Sequence, residues 1–318
     1  MADPMSAAVI DHHGGLAALR ITRVPRPVAG PGERLVRVSR SAVNYADERW
    51  CATGVNHFTG RIDPLPFIPG GEVAGVDDES GARVVALCRN GGYAHYATAP
   101  VELVHAVPDD ISLDVALAAF VPGLTAWFLL DLLPAEARDE PLLVVGASGA
   151  VGTVLLRLVR ARGYRTVVAT ASSPAARDRI EPEVSAVVDP APEGFTDRLL
   201  AAAGGPIGTV LDSAGGPVLE AALAALAPRG RLVTYGTASG VPATVDPRSL
   251  IVGSRTVTGF WLMDHVADRE RSERALAELF GLLRSGALAV AEPRLHPLAL
   301  APTALSGHAP GGRVLLVP

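Results

Sequence analysis

The sequence contains no lysine, so all 28 of its basic residues are arginine. This excludes any mechanism that needs a lysine amine, such as a Schiff base, a lysine general base or the lysine of a P-loop. Cysteine is almost as scarce, since Cys51 and Cys88 are the only two. Two cysteines cannot build a disulfide framework or a four-cysteine zinc site. The eight histidines are scattered, without the short spacing of a pair of metal ligands.

Excess positive charge and long apolar runs are also missing. The formal net charge is −5, which argues against a nucleic-acid binder that depends on phosphate contacts. No run approaches the roughly 18 apolar residues that a membrane span requires. The N-terminus carries acids and histidines where a signal peptide needs a basic start and an apolar core. We therefore expect a cytoplasmic, soluble protein that binds neither nucleic acid nor a membrane.

What the sequence does have is a change of pattern near Asp114. Before it, segments such as LVRVSRSAVN and ARVVALC predict short strands between glycine and proline turns. An apolar stretch at helical spacing follows, with an interruption predicted at Pro122-Gly123. Strands and helices then alternate, which is typical of parallel βαβ units with helices on both faces.

The segment VVGASGAVG carries the most information. A predicted strand ends in a loop with the spacing G-x-G-x-x-G, with Ala147 in the first place, and a helix follows at once. Gly149 lets a backbone approach a pyrophosphate, and Gly152 lets the helix pack on the strand. The alternative is a tight turn in some other doubly wound fold. We predict a dinucleotide site whose cofactor contacts are Ser148, Gly149, Ala150, Val151 and Gly152.

The residues after the next strand bear on which dinucleotide binds. An NAD site carries Asp or Glu about 20 residues after the loop, but the strand TVVAT ends at Thr170 without an acid. Ser172, Ser173 and Arg177 follow, and hydroxyls with a guanidinium suit a 2′-phosphate. We therefore favour NADPH as the cofactor and assign Thr170 and these three residues to it. In the alternative, the serines only cap a helix and Arg179 takes the place of Arg177.

The order of the motifs resembles the medium-chain dehydrogenase/reductase superfamily, specifically its zinc-free quinone oxidoreductase branch. The matching segments extend over almost the whole chain, and each is modest alone, but their joint order is highly specific. They are NYAD at 44–47, PGGEVAG at 69–75, ARVVAL at 82–87, GGYAHYA at 91–97, GLTAW at 123–127, GASGAVG at 146–152, LDSAGG at 211–216, YGTASG at 235–240 and GRVLLVP at 312–318.

The resemblance implies an α/β architecture with two domains. A GroES-like, partly open β-barrel domain would comprise residues 1–120 and 259–318. A Rossmann domain with a doubly wound parallel sheet would comprise residues 121–258. Many relatives are homodimers, so a homodimer is one expected assembly, and the substrate is expected to be a small molecule. By the same resemblance, further contacts to NADPH come from Tyr235, Gly236, Thr237 and Phe260.

The same resemblance indicates where zinc ligands would stand. Zinc-dependent members place a cysteine at the position of Asn44, a histidine at Gly71 and a third ligand near 120–122. None is present here, and the lobe of four clustered cysteines is also absent. Zinc would therefore have no ligands. Gly70 and Gly71 are expected to allow a close backbone approach, and Glu72 is expected to be a structural acid.

Without a Lewis acid, the readiest chemistry is hydride transfer from NADPH to a conjugated carbonyl or a quinone, followed by protonation of the resulting enolate. Relatives that reduce such substrates place a tyrosine about ten residues beyond the NYAD motif, where this chain has Asn56 or His57. His57 suits proton transfer, or it is simply a loop residue. The catalytic candidates are Tyr45, His57 and Asn44, and the candidate substrate contacts are Asn56, Trp261 and His265.

Packing offers an alternative for the aromatic candidates, because Tyr45 could be a core residue and Phe260 and Trp261 could fill a domain junction. A second class of function is also open. The missing tyrosine is compatible with a member of the fold that performs cyclisation, dehydration or binding instead of redox chemistry. A hydrolase is poorly supported, since no G-x-S-x-G motif occurs.

Overall fold

The computed structural model describes residues 3–304 and 313–318, so Gly312 of the C-terminal motif lies outside the described residues. The chain divides into two compact units. Unit 1 comprises Met1–Val121, Met263–Arg284 and Ala289–Pro318, and unit 2 comprises Pro122–Leu262 and Ser285–Leu288.

Most of the regular elements before residue 113 are strands, as the glycine and proline punctuation predicts. One helix interrupts them. These elements are β1 (Pro4–Val9), β2 (Arg20–Pro25), β3 (Glu33–Val43), α1 (Tyr45–Thr53), β4 (Glu72–Asp77), β5 (Arg83–Leu87), β6 (Tyr96–Pro100) and β7 (Val104–Ala106).

The next helix, α2 (Leu113–Asp131), continues through Pro122, so the predicted interruption is wrong. Proline cannot donate a backbone hydrogen bond, and just before it the N–H of Val121 donates to the Glu72 carboxylate at 3.1 Å.

By length and composition α2 could also cross a membrane, contrary to our expectation that no apolar run comes close to the length of a membrane span. However, 78% of the most apolar 18-residue stretch of this helix is buried inside the protein. A core helix of a globular protein has this character.

Strands and helices alternate through the middle of the chain. These elements are β8 (Leu142–Val144), α3 (Ala150–Ala161), β9 (Val167–Thr170), α4 (Pro174–Ile180), β10 (Ala186–Val188), α5 (Phe195–Ala203), β11 (Ile207–Asp212), α6 (Gly216–Ala224), β12 (Leu226–Thr234), α7 (Pro247–Ile251) and β13 (Thr256–Gly259).

The described residues after 262 form three α-helices and two strands. These elements are α8 (Met263–Val266), α9 (Arg269–Ser285), β14 (Arg294–Pro297), α10 (Ala301–Ala304) and β15 (Val314–Val317). Single turns of 3₁₀ helix lie elsewhere in the chain, at Leu16–Ala18, Val101–Leu103, Ala135–Arg138, Glu181–Glu183 and Leu298–Leu300.

Unit 2 is built on a six-stranded sheet of order β10-β9-β8-β11-β12-β13. Every strand pair in it is parallel. Counted within the unit this is the order 3-2-1-4-5-6 of the Rossmann fold. From β8 the chain adds strands first toward one edge of the sheet and then, from β11, toward the other, so the topological switch point lies between β8 and β11. Ligands of such sheets bind at this point, beyond the carboxyl ends of the strands.

Unit 1 is built on a mixed sheet of order β14-β15-β3-β4-β5-β7, with β6 also paired to β3. Valine and alanine side chains of β3 to β7 form one apolar cluster in it. A separate antiparallel pair joins β1 to β2. The segment of β1, PMSAAV, shows little β-type pattern in sequence, yet Ala7 and Ala8 are fully buried.

Candidate functional site

Thr170, at the end of β9, anchors the glycine loop of unit 2 through two hydrogen bonds. The loop leaves β8 through Gly146, whose φ of 69° is in the left-handed region. The N–H of Gly146 donates to Thr170 Oγ1 at 3.0 Å, and the N–H of Ala147 donates to the Thr170 carbonyl at 3.0 Å. Thr170, at the end of β9, is buried. It therefore fixes the loop against the sheet rather than facing a ligand.

The loop then turns into α3 with its N-terminal face open. A Cβ on Gly152 would lie 2.5 Å from the Ala147 Cα and 2.6 Å from the Gly146 carbonyl oxygen, so only glycine allows this approach. The first amide bonded within the helix is that of Thr153, which donates to Gly149 at 2.9 Å. The N–H groups of the first helical turn consequently point out at the positive end of the helix. Gly149 and Ala150 are exposed there, which forms a site for an anion such as a pyrophosphate.

The turn that follows β11 lies on the other side of the switch point from the glycine loop. Asp212 is fully buried and accepts hydrogen bonds from two N–H groups of its own turn and from Thr234 Oγ1, all at 3.0–3.1 Å. Burial raises the pKa of Asp212, while these donors lower it. Ser213 Oγ donates to the Val145 carbonyl at 2.9 Å, joining this turn to the glycine loop. The motif LDSAGG contributes to the resemblance, but its pattern does not predict this role.

The other predicted cofactor residues of unit 2 also lie at the carboxyl edge of its sheet. The N–H of Tyr235, directly after β12, donates to the Asp212 carbonyl at 2.8 Å. Burial raises the pKa of the Tyr235 hydroxyl. Thr237 is exposed, whereas Phe260, directly after β13, is buried. Parallel strands bring these loops to one edge, beside the glycine loop.

Beyond β9, the structure supports the capping alternative for one serine and finds a partner for the arginine. Ser173 Oγ accepts from the Ala176 N–H at 3.2 Å at the start of α4. Arg177 Nη1 donates to Asp189 Oδ2 at 2.6 Å and to the Ser172 carbonyl at 3.2 Å. Sequence reasoning missed Asp189. The available signal was an acid directly after the third strand of the unit, in SAVVD.

Unit 1 contains a buried ionic cluster around the residues that stand where zinc ligands were considered. The Glu72 carboxylate is fully buried and accepts from Arg313 Nη2, from Asn44 Nδ2 at 3.2 Å and from the Val121 N–H at 3.1 Å. Arg313 Nη1 also donates to Asn44 Oδ1 at 2.9 Å. The prediction that Glu72 is a structural acid agrees with this arrangement. Asn44 is part of the same network.

Two aromatic rings fill the space beside the glycine turn that precedes Glu72. A Cβ on Gly71 would overlap the ring of Phe58, and a Cβ on Gly70, whose φ is 92°, would overlap the ring of Tyr93. A histidine at position 71 would therefore displace Phe58, which is itself buried.

His57 and Asp47 lie beside these rings. Tyr93 Oη donates to Asp47 Oδ2 at 2.7 Å, and the Asn44 N–H donates to the same oxygen at 2.8 Å. His57 Nε2 is 3.6 Å from Asp47 Oδ1. Burial lowers the pKa of His57 to about 4, against a smaller opposing effect of Glu72. The imidazole is therefore neutral at neutral pH and offers an N–H rather than a positive charge.

Comparison with known proteins gives the family. The profile of zinc-binding dehydrogenases matches residues 150–281. A quinone oxidoreductase from Salmonella typhimurium is 30% identical, with 96% of this chain and 97% of that protein covered. A mycobacterial protein solved in complex with NADPH is 32% identical, with a TM-score of 0.87 and coverage of 99% and 100% of the two chains. The chain belongs to the quinone oxidoreductase family of the medium-chain dehydrogenase/reductase superfamily.

The fold prediction is confirmed by the same comparisons. A quinone oxidoreductase from Escherichia coli, also solved with NADPH, has a TM-score of 0.88 over 98% of this chain and 100% of that one, at 26% identity. The α/β class with a Rossmann sheet and a mixed β domain is the architecture of this quinone oxidoreductase family. The predicted resemblance to the superfamily is also confirmed.

Asn56, predicted from the sequence as a substrate contact, is instead a structural residue of this protein. Asn56 is fully buried. Its Nδ2 donates to Asp63 Oδ2 at 2.9 Å and to the Arg89 carbonyl at 2.6 Å, while its Oδ1 accepts from the N–H groups of Phe58 and Thr59. All four hydrogen-bonding positions of the amide are used. Asn56 therefore has nothing to offer a substrate.

The remaining candidates differ in exposure. Tyr45, the first residue of α1, is 73% exposed, which rules out the core-aromatic alternative. Trp261 is 42% exposed and directly follows the buried Phe260. His265 is half-buried in the short helix α8.

Proposed function

We propose that the protein is a reductase that uses NADPH to reduce a conjugated carbonyl (an enone or enoyl group) or a quinone, without zinc. The observation that carries the proposal is the glycine loop of unit 2, whose open amides lie at the switch point of a Rossmann sheet. NADPH-bound relatives with this fold support the choice of cofactor.

The residues of the loop fit a dinucleotide. The N–H groups of Ala150 and Val151 suit pyrophosphate oxygens, and Gly149 leaves room for them. We assign the nicotinamide end to Ser148, to Tyr235 to Thr237 and to Phe260, because their loops share one edge of the sheet. Bound NADPH supplies the hydride.

In unit 1 we assign the substrate oxygen to His57 and Asn44 and the proton to Tyr45. A neutral His57 can donate a hydrogen bond to a developing enolate oxygen but is a poor source of a proton. Asn44, held by Arg313 and Glu72, offers an amide donor in a fixed orientation. The exposed Tyr45 hydroxyl can exchange its proton with water. Trp261 and His265 remain candidate contacts to the apolar part of the substrate.

Zinc independence rests on the donor set. Among residues 3–304 and 313–318, no group of three or more histidine, cysteine or acidic side chains is placed to hold a metal ion. Phe58 occupies the space that a ligand at position 71 would need. The segment matched by the zinc-binding dehydrogenase profile contains one histidine and no cysteine.

A non-redox member of the fold is the second candidate. The observation that favours it is the absence of a tyrosine after the NYAD motif, with the structural Asn56 and the neutral His57 in that place. Such a protein would bind NADPH or lack the site, but it would not oxidise the cofactor in the presence of any conjugated acceptor.

A calorimetric titration with NADPH and NADH tests the cofactor. Binding of NADPH supports the reductase, and failure to bind either dinucleotide overturns it. A panel of enones, enoyl thioesters and quinones, followed by loss of NADPH absorbance, then tests the chemistry. Tight binding without turnover on the whole panel would establish the non-redox alternative.

Variants separate the assigned roles. We expect Tyr45→Phe to lower kcat most at high pH, where water supplies fewer protons, and His57→Asn to lower kcat with little change in NADPH affinity. Chelation with EDTA should leave activity unchanged, and a loss that zinc restores would contradict zinc independence.

Assembly and location are further proposals. We expect a homodimer, which light scattering after gel filtration tests directly. Cys51 and Cys88 are free and buried, which is compatible with the reducing cytoplasm that we propose as its location.

A further inference from the structure

The arginine assigned to the 2′-phosphate is already paired with an acid. Arg177 Nη1 lies 2.6 Å from Asp189 Oδ2 and also donates to the Ser172 carbonyl at 3.2 Å. A phosphate that approaches Arg177 therefore meets a carboxylate already bound to it.

The position of Asp189 is fixed by the sheet. It directly follows β10, whose last residue, Val188, is paired with Thr170 at the end of β9. Both Asp189 and Arg177 thus lie beyond the carboxyl ends of neighbouring strands, at the edge where a Rossmann sheet receives the adenosine ribose. The other carboxylate oxygen, Oδ1, accepts from the Ala191 N–H at 3.0 Å. The backbone therefore orients this carboxylate toward Arg177.

An acid at this place has two effects on the cofactor. It neutralises the guanidinium and repels the charge of a 2′-phosphate. A carboxylate is also the kind of group that accepts the ribose 2′-hydroxyl in NAD sites, although there it stands at the end of the second strand, about 20 residues after the loop. The two side chains are 28% and 44% exposed, so their pairing is weak and a ligand can replace it.

We propose that Asp189 is a specificity-determining residue that competes with the 2′-phosphate for Arg177 and so narrows the preference for NADPH over NADH. This inference rests on the proposed function. It adds that cofactor preference in this chain is set by a pair of residues rather than by Arg177 alone.

The test is Asp189→Asn, titrated by calorimetry with NADPH, NADH and adenosine 2′,5′-bisphosphate, which carries the 2′-phosphate without the nicotinamide. We expect about tenfold tighter binding of both 2′-phosphate ligands, from the freed arginine and the lost repulsion. NADH should bind no better. The matched control is Asp139→Asn, which removes an exposed acid paired with Arg165 at 3.0 Å in the same unit. It should change the affinity for none of the three ligands.

A second variant guards against poor folding of the first, and a second background tests whether the gain in affinity depends on Arg177. Asp189→Ser keeps an acceptor for the Ala191 N–H and should give the same gain if Asp189→Asn folds poorly. In an Arg177→Ala background, Asp189→Asn should tighten the binding of the two 2′-phosphate ligands by much less than tenfold.

Each failure is distinguishable. If the unaltered protein binds NADPH but Asp189→Asn leaves it unchanged, or tightens NADH equally, the inference is wrong and the proposed function stands. If the unaltered protein binds neither dinucleotide nor the bisphosphate, both are overturned.

Discussion

Each unit contains a glycine-rich turn, and the two use glycine in opposite ways. In unit 1, Gly70 and Gly71 give up side-chain space that Tyr93 and Phe58 then fill. In unit 2, Gly152 gives up space that the backbone of its own loop fills, and this leaves exposed amides at the start of α3. One turn is closed by aromatic side chains and backed by an ionic cluster, while the other is open to a ligand. Glycine content alone therefore does not identify a binding site.

The largest effect should come from breaking the ionic cluster behind the closed turn. Arg313→Met leaves the carboxylate of Glu72 buried without its cation, which typically costs about 3–5 kcal/mol. Urea unfolding should show this loss. The matched control is Arg284→Met, since Arg284 pairs with Asp110 at 2.6 Å on an exposed surface. It should change the unfolding free energy little.

Removing both partners distinguishes charge from packing. If Arg313→Met is costly because a charge is stranded, then adding Glu72→Gln should recover part of the lost stability. Additive losses in the double variant would show that the two side chains matter for packing, not as an ion pair.

Alanine at the two turns should separate their roles directly. Gly71→Ala forces a methyl group against the buried Phe58 ring and should cost about 1–3 kcal/mol of unfolding free energy, with NADPH affinity largely kept. Gly152→Ala pushes on backbone atoms of the loop and should weaken NADPH binding by at least about tenfold. Gly259→Ala, where the added methyl meets open space, is the control. Equal effects on NADPH affinity at 71 and 152 would remove the distinction.

Local pattern was enough to predict the alternation of strands and helices in unit 2 because each step there is set by neighbours in sequence. Apolar strands followed by glycine loops and amphipathic helices predict βαβ units, and the observed order of β8 to β13 is the one that such units form. The helix break expected at Pro122 is wrong because tertiary burial and the Glu72 carboxylate compensate for the proline.

Pairings between distant residues were not predictable. Arg313 meets Glu72 across 241 positions, and β1 is a strand because of burial rather than its composition. Asp189 reaches Arg177 only because β9 and β10 are neighbours in the sheet. Asn56 was assigned to the substrate because it stands about ten residues beyond the NYAD motif, whereas all four hydrogen-bonding positions of its amide are taken by groups of unit 1.

One part of the pH dependence of stability should come from the closed turn. The ring of His57 packs against that of Phe58 at a tilt of 42°, with centroids 4.1 Å apart, and burial lowers the pKa of His57 to about 4. The unfolded chain therefore binds a proton between about pH 6.5 and 4 that the folded chain does not, so stability falls as pH falls through this window. Between pH 7.5 and 5 this amounts to about 2 kcal/mol.

His57→Asn should remove that part of the acid sensitivity, measured as the difference in unfolding free energy at the two pH values. His105, which burial also shifts to about 4, remains in both proteins and cancels. His13→Asn is the control, because that histidine is exposed. An unchanged pH dependence in His57→Asn would show that the imidazole is solvated in the folded protein.

The smallest effect should come from the hydroxyl that fastens the open loop. Thr170→Val keeps the shape of the side chain but leaves the Gly146 N–H without its acceptor at 3.0 Å, which should cost about 1 kcal/mol. Because the loop then loses one of the two backbone hydrogen bonds that it makes to Thr170, NADPH affinity should fall by about two- to fivefold. Thr153→Val is the control, since that hydroxyl donates to the carbonyls of Gly149 and Ala150, which take no part in the contact to β9. If the two valine variants bind NADPH equally well, the loop is positioned by α3 and the sheet, and Gly152 rather than Thr170 determines its geometry.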